Sequence, residues 1–247
     1  MIPIIYWGNF FAEGALSGST STDANPGRRV GDGSINLPYE ATSGSPPSGV
    51  IQVTLSEAKA PDAFVLVLGD VTSGTRFTLE SEDLGGGNNA TILDFTLTAD
   101  TDRFVQTITG ATARAVWRLT VVSGAAQASF RELQLASAQQ LPRSPEVGID
   151  RTRVRQFTRI PIPGGQPFVK REGPRLRRTL YSFVAISGLE VSGLERFADG
   201  VEGGDAFTLV DDLAAQYWSE LVESDVGFPD QAGVFTMQLG FQEIAVE

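Results

Sequence analysis

Gly49-Val50-Ile51-Gln52-Val53-Thr54-Leu55, followed shortly by Ala63-Phe64-Val65-Leu66-Val67-Leu68, is the stretch whose reading decides the fold. In the first run the apolar Ile51, Val53 and Leu55 alternate with Gln52 and Thr54, the period of a strand with one buried face. The second run is unbroken and apolar beside Gly69, and it reads as a strand buried on both faces. The same period returns downstream. Phe77 and Leu79 alternate with Thr78 and Glu80, and Trp117, Leu119 and Val121 alternate with Arg118 and Thr120. Turn formers separate these runs: Asn25-Pro26-Gly27, Gly31-Asp32-Gly33, Gly44 to Gly49, Gly85-Gly86-Gly87-Asn88-Asn89 and Ser123-Gly124. Short strands at this spacing, without a long helix, predict a β-sandwich.

Beyond residue 136 the pattern changes. Ala136 to Gln140 leads into Pro142 and Pro145, a short linker, and a strand follows near Arg151–Ile160. After the turn formers Pro161, Pro163, Gly164, Gly165 and Pro167 comes a longer strand, Leu176 to Ile186. Ser192-Gly193-Leu194-Glu195 has the spacing of a capping box, with Leu194, Phe197, Ala198 and Val201 at i, i+3, i+4 and i+7 and Gly203-Gly204 as the stop. Ala206–Val210 returns as a strand. In the last segment Phe235, Met237, Leu239 and Phe241 alternate with Thr236, Gln238 and Gln242.

Charge is divided as unevenly as pattern. Nine of the 19 Lys and Arg fall between Arg151 and Arg178 against the single Glu172, a local charge of +8. Residues 1–150 carry −7 and residues 179–247 carry −12, within a net −11. Guanidinium groups on neighbouring strands repel unless countercharges approach, and arginine keeps its charge when desolvated. Glu190, Glu195, Asp199, Asp205, Asp211 and Asp212 are the available carboxylates, within one chain or across copies.

The 247 residues, 41% hydrophobic and 20% charged, make one large or two smaller β domains. With no Cys there is no disulfide, thiolate metal site or cysteine nucleophile. With no His, the commonest general base and zinc ligand are missing, and so is every Ser-His triad. Met1 to Phe11 is apolar, but the first basic residue is Arg28, so the charged region of a signal peptide is lacking. No run is long enough to span a bilayer. The expectation is a soluble protein made in a cytosol, without membrane insertion. The acidic balance argues against nucleic-acid binding.

Three further patterns resolve to ordinary readings. Gly85 to Asn89 lacks the Gly-Lys-Ser/Thr ending of a phosphate loop. The adjacent carboxylates Asp211-Asp212 and Glu82-Asp83 read as solvated turns rather than a hydrolase pair. Asp23, Asn25, Asp32 and Asn36 have calcium-type oxygens without a calcium-loop spacing, and read as Asx turns. No catalytic residue, cofactor or metal is expected, and the chain is not read as an enzyme.

Two likenesses gather these features. Asp32-Gly33, Gly49 to Leu55, Ala63 to Leu68, Trp117-Arg118-Leu119-Thr120 and Phe130-Arg131-Glu132-Leu133 resemble a discoidin-type, galactose-binding-like jelly roll. Gly69-Asp70-Val71 stands where tailed-phage versions of that domain often read His-Asn-Leu. The second half, with its Arg-rich long strand, its helix and Gly204-Asp205-Ala206-Phe207-Thr208-Leu209-Val210-Asp211-Asp212, resembles the split β-barrel of phage tail-tip proteins of the distal tail type. The resemblance implies a mainly β chain: a discoidin-like β-sandwich over 1–138, a linker over 139–147, and a split β-barrel over 148–247 with a helix at about 192–202. It implies a structural virion protein of a phage tail tip or baseplate. Such a protein is a homo-oligomeric ring, hexameric in the expectation, joining the tail tube to hub or fibre proteins. The contacts expected between subunits set Arg153, Arg155, Arg175 and Arg177 against Asp205, Asp211 and Asp212. The alternative is a carbohydrate-binding adhesin recognising host surface glycans, with Trp7 and Tyr39 as the aromatic candidates. An assembly chaperone is a third option.

Overall fold

Alternation of apolar and polar residues makes strands only if each apolar face finds another to cover it, and in this chain two different partners do the covering. The computed structural model describes residues 2–17, 39–40, 48–83, 89–124, 126, 128–142, 149–160, 168–201, 205–211, 213–226 and 235–244. The N-terminal region holds β1 (Ile4–Trp7), α1 (Phe10–Glu13), β2 (Ala15–Ser17), β3 (Tyr39–Glu40) and β4 (Ser48–Lys59). Next come β5 (Ala63–Asp70), β6 (Arg76–Glu82), β7 (Ala90–Thr96), β8 (Phe104–Thr107), β9 (Arg114–Val122) and β10 (Ser129–Gln140). The remainder is β11 (Ile149–Ile160), β12 (Phe168–Ile186), α2 (Gly188–Val201), β13 (Phe207–Val210), β14 (Gln216–Val226) and β15 (Phe235–Glu243). The protein is mainly β, with antiparallel sheets, as the alternation predicts.

Strands β2-β4-β9-β6-β7 form one sheet. Its inner face follows from register: Ile51 lies opposite Leu119 and Val53 opposite Trp117, while Phe77 and Leu79 face Val121 and Leu119. All six of these side chains and Trp117 itself are buried. They pack on Phe64, Leu66, Phe130, Leu133 and Leu135 of the second sheet, which completes a β-sandwich. Phe77 is at the centre, with the rings of Phe64, Phe95, Phe104 and Phe130 at 5.3–6.0 Å. Ring pairs of this kind add about 0.5–1.5 kcal/mol each beyond area burial.

The second sheet is the larger, in the order β11-β12-β15-β14-β13-β1-β10-β5-β8, with β3 also on β10. It therefore runs through both halves of the chain. The joint is β1, which pairs with β10 on one side (Ile5 opposite Gln139) and with β13 on the other (Ile5 opposite Leu209). Gln139 and Gln140, read from sequence as the start of a linker, extend β10 because Ile5 and Ile4 take up their backbone groups. Neighbouring residues of β1 serve two cores. Ile5 enters the core under α2, and Tyr6 packs on the opposite face with Ala63, Val65, Val67 and Ala136. This explains why β5 reads as apolar throughout: Phe64 and Leu66 fill the sandwich, while Ala63, Val65 and Val67 fill this second layer.

In the second half, Val191, Leu194, Phe197 and Val201 of α2 cover Tyr181, Phe183, Phe207, Met237, Leu239 and Phe241. The helix begins at Gly188, earlier than the expected start near 192. Two Ser-x-x-Glu spacings stand in tandem, and the first is the one that caps. Glu190 Oε2 accepts hydrogen bonds from Ser187 N (2.8 Å) and Ser187 Oγ (2.7 Å), and Glu190 N donates to Ser187 Oγ at 3.3 Å. Ser192 Oγ donates to Gly188 O inside the helix at 2.9 Å. Starting at 188 brings Val191 onto the buried face, one turn before Leu194.

The sheet is rolled. Four strand spacings separate β14 from β5, about 19 Å if the sheet were flat. Yet Gln216 Nε2 donates to Leu66 O at 3.0 Å, and Arg103 Nη1 donates to Gln216 O at 3.3 Å. Side chains thus close the roll; among the described residues no ladder joins these strands into a barrel.

Candidate functional site

The roll encloses a cleft of about 400 Å³ between β1, α1, β10, α2 and the entry to β13, with Trp218 of β14 as a wall. Trp7 ends β1 at its lip. Gly8 then turns the chain with φ +66°, a left-handed conformation that costs glycine little. Asn9 caps the short α1: its Oδ1 accepts from Phe11 N (3.1 Å) and Leu135 N (3.3 Å). Its Nδ2 donates to Leu133 O (2.8 Å) and Glu132 Oε1 (3.1 Å). One amide therefore ties the helix to β10 and fixes the Glu132 carboxylate. Phe10 and Phe11 anchor α1 in the sandwich core, and Glu13 reaches the lip, ion-paired with Lys59.

Glu132 and Gln134 lie at alternate positions of β10 and are each 1% exposed. Gln134 Oε1 accepts from Thr208 Oγ1 of β13 at 3.0 Å. Trp218 is 5% exposed and packs against Tyr6, Val65 and Val67. Trp7 is half-buried and meets Phe197 of α2 edge-on at 6.2 Å. Gly200 permits that approach, since a Cβ there would lie 2.4 Å from Trp7 Cζ3. Asp205, exposed just ahead of β13, completes the rim. Two indoles, two amides and three carboxylates thus converge on one concave site, a composition suited to a polyhydroxylated ligand with apolar C–H faces.

The residues expected from sequence are dispersed over the molecule. Trp7 lines the cleft; the side chain of Tyr39 lies outside the described residues, and only its backbone pairing is described. On β10, Trp7 pairs opposite Ser137 and Tyr39 opposite Phe130, about 23 Å along the strand. Asp205, expected at a subunit contact, lies on the cleft rim. Arg177 and Asp211 meet within one chain: Arg177 Nη1 donates to Asp211 Oδ2 at 3.3 Å and also bonds Tyr217 Oη. The guanidinium carbon is 4.2 Å from the Tyr217 ring centroid. Burial pushes the Tyr217 hydroxyl above the ordinary phenol range, against the opposing pull of Arg177. Asp211 Oδ1 accepts from Leu213 N and Ala215 N, each at 2.9 Å, so this carboxylate holds the β13–β14 turn. Arg153 is exposed on β11, directly opposite Arg177 in register. Arg155 and Arg175 lie on β11 and β12, but their side chains fall outside the described residues, as do Asp212 and the calcium-type oxygens of Asp23, Asn25, Asp32 and Asn36. Among the described residues no group of three potential metal ligands converges, and no helix is long and apolar enough to cross a membrane.

Asn9, Glu132, Gln134 and Trp218 complete the site and carry no motif that marks them in the sequence. Glu132 and Gln134 alternate with Leu133 and Leu135, which reads as the wet face of a strand until β14 is seen to cover it. The available signal was local: the adjacent pair Tyr217-Trp218 places one aromatic side chain on each face of its strand.

No family model and no curated protein matches this chain. Solved structures are similar over about half of it. A chitosan-binding module of a chitosanase/glucanase from Paenibacillus sp. IK-5 is 19% identical, covering 52% of this chain and 98% of the module, with a TM-score of 0.43. A family 32 carbohydrate-binding module from C. perfringens NanJ, in complex with galactose, is 16% identical over 53% of this chain and 98% of its own, with a TM-score of 0.42. A Clostridium perfringens module in complex with GlcNAc-α-1,4-galactose is 22% identical over 53% and 94%, also with a TM-score of 0.42. All three are carbohydrate-binding modules, and none is a tail-tip protein.

Proposed function

We propose that this protein binds carbohydrate, without turnover, in the cleft between Trp7 and Trp218. The observation that carries the reading is the composition of that cavity: two indoles flanking the buried Glu132 and Gln134, with Asp205 open at the rim. Sugar rings pair apolar C–H faces with directional hydroxyls, so they need aromatic surface beside fixed acceptors and donors. A volume of about 400 Å³ lies within the ordinary range for small-ligand sites. The test is a glycan array probed with the whole chain, followed by calorimetry on the hits. Trp7→Phe, which keeps ring packing on α2, should weaken binding several-fold, and Asp205→Ala about tenfold, the loss of one charged hydrogen bond. Variants that bind as the parent does would refute the site.

A second reading, a ring of identical subunits in a phage tail particle, is favoured by one observation. β11 is a twelve-residue strand at the end of the sheet order, with Arg151 and Arg153 exposed along it. Such an edge can accept an acidic face of another copy or repel unwanted strands. Light scattering on the purified chain separates the two: a discrete oligomer lost on Arg153→Glu supports the ring, and a monomer at high concentration removes it.

A further inference from the structure

We infer that the sugar taken by this cleft is cationic, an oligosaccharide with free amino groups, an inference that rests on the carbohydrate-binding reading above. Three carboxylates line the cavity from three separate elements: Glu13 at the end of α1, Glu132 on β10 and Asp205 ahead of β13. No Lys or Arg lines it among the described residues. Lys59, which does not line the cavity, is ion-paired with Glu13 and lies over the face of Phe10, 5.6 Å from its centroid.

These acids differ from a solvated surface cluster. Glu132 is almost wholly buried and held by Asn9, so its carboxylate does not have to be ordered when a ligand arrives. Trp7 and Trp218 border the same volume, and an indole face attracts an ammonium group as well as a C–H face. In a partly desolvated concavity both attractions exceed their values at an open surface. An ammonium group on a sugar ring finds acceptors and aromatic faces together. A uronic or sialic acid carboxylate in the same volume meets Glu132, Asp205 and a Glu13 whose charge Lys59 already offsets, with no Lys or Arg among the described lining residues. Neutral sugars gain the indoles and the hydrogen bonds alone.

The test is calorimetry of the whole chain with a β-1,4-linked glucosamine tetramer, its fully N-acetylated counterpart and a uronic acid tetramer, at mildly acidic pH where the sugar amine is charged. The glucosamine tetramer should bind about tenfold or more tightly than the acetylated one at low salt, and the gap should narrow as salt is raised. The uronic acid tetramer should bind weakest. The double variant Glu13→Gln, Asp205→Asn, checked for folding by circular dichroism, should narrow the gap several-fold. Equal affinity for the first two ligands, preference for the acetylated or acidic one, or a gap unchanged in the double variant would overturn the charge inference and leave sugar binding standing. Failure of the chain to bind any sugar, here and on the array, would overturn both.

Discussion

Gly200 shows how one missing Cβ shapes the cleft. A methyl group there would overlap the six-membered ring of Trp7, and the ring's free side is the cavity. Gly200→Ala should therefore push the indole into the cleft. The expected cost in urea unfolding is about 1 kcal/mol, because improved helix propensity offsets part of the overlap. Sugar affinity should fall by about tenfold or more, since a displaced positioning group costs more than its own contact. Trp7 was legible in the sequence as an aromatic candidate. Tyr39 was an equally good candidate on composition, and only strand register separates the two. Asp205 and Asp211 look alike in the sequence. One is open on the rim, and the other is 3% exposed in its side chain, with Arg177 and two backbone N–H groups as partners.

Among the elements, α2 offers the sharpest test. Ser187 caps it and Ser192 does not. Ser187→Ala should cost about 0.5–2 kcal/mol in denaturant unfolding, and Ser192→Ala less than about 0.5 kcal/mol. Glu190 gives the cap a pH signature. Its hydrogen bonds from the backbone and side chain of Ser187 hold its carboxyl below the usual carboxylate range in the folded state. A depressed folded value stabilises at pH above the unfolded carboxylate value and is lost as pH falls through the folded one. The deficit of Glu190→Gln relative to the parent should be largest near neutrality and should close on acidification. The helix was legible from Leu194, Phe197 and Val201, but its start was not, because two Ser-x-x-Glu spacings satisfy the same local rule. Burial of Val191 decides between them. The strands β4, β5, β6 and β9 were legible because alternation and unbroken apolar runs reflect burial directly. The wet or dry state of the outer face of β10 was not, since it depends on a strand from the other half of the chain.

At the level of the whole molecule, the central finding is a shared sheet. A sequence that changes pattern near residue 136 reads as two bodies joined by a linker, whereas β1 pairs with strands of both halves. Ile5 is fully buried in the core under α2, on the strand that also carries Tyr6 into the layer beneath Trp218. Ile5→Ala should cost about 2–5 kcal/mol. Both halves should melt together in calorimetry and by tryptophan fluorescence, because the joint serves each of them; two separate transitions would argue for independent bodies. The charge division is likewise partly consumed within the chain, as Arg177 with Asp211 shows, so the +8 segment is a weaker argument for assembly than its sequence implies. The cleft exists because the sheet rolls, and its claim to function rests there. The most direct measurement is a crystal structure of the chain grown with the tightest-binding oligosaccharide. The expected result is a sugar ring between Trp7 and Trp218 with polar contacts to Gln134 and Asp205. A sugar seated on the loops of the sandwich, with this cleft holding only water, would contradict it.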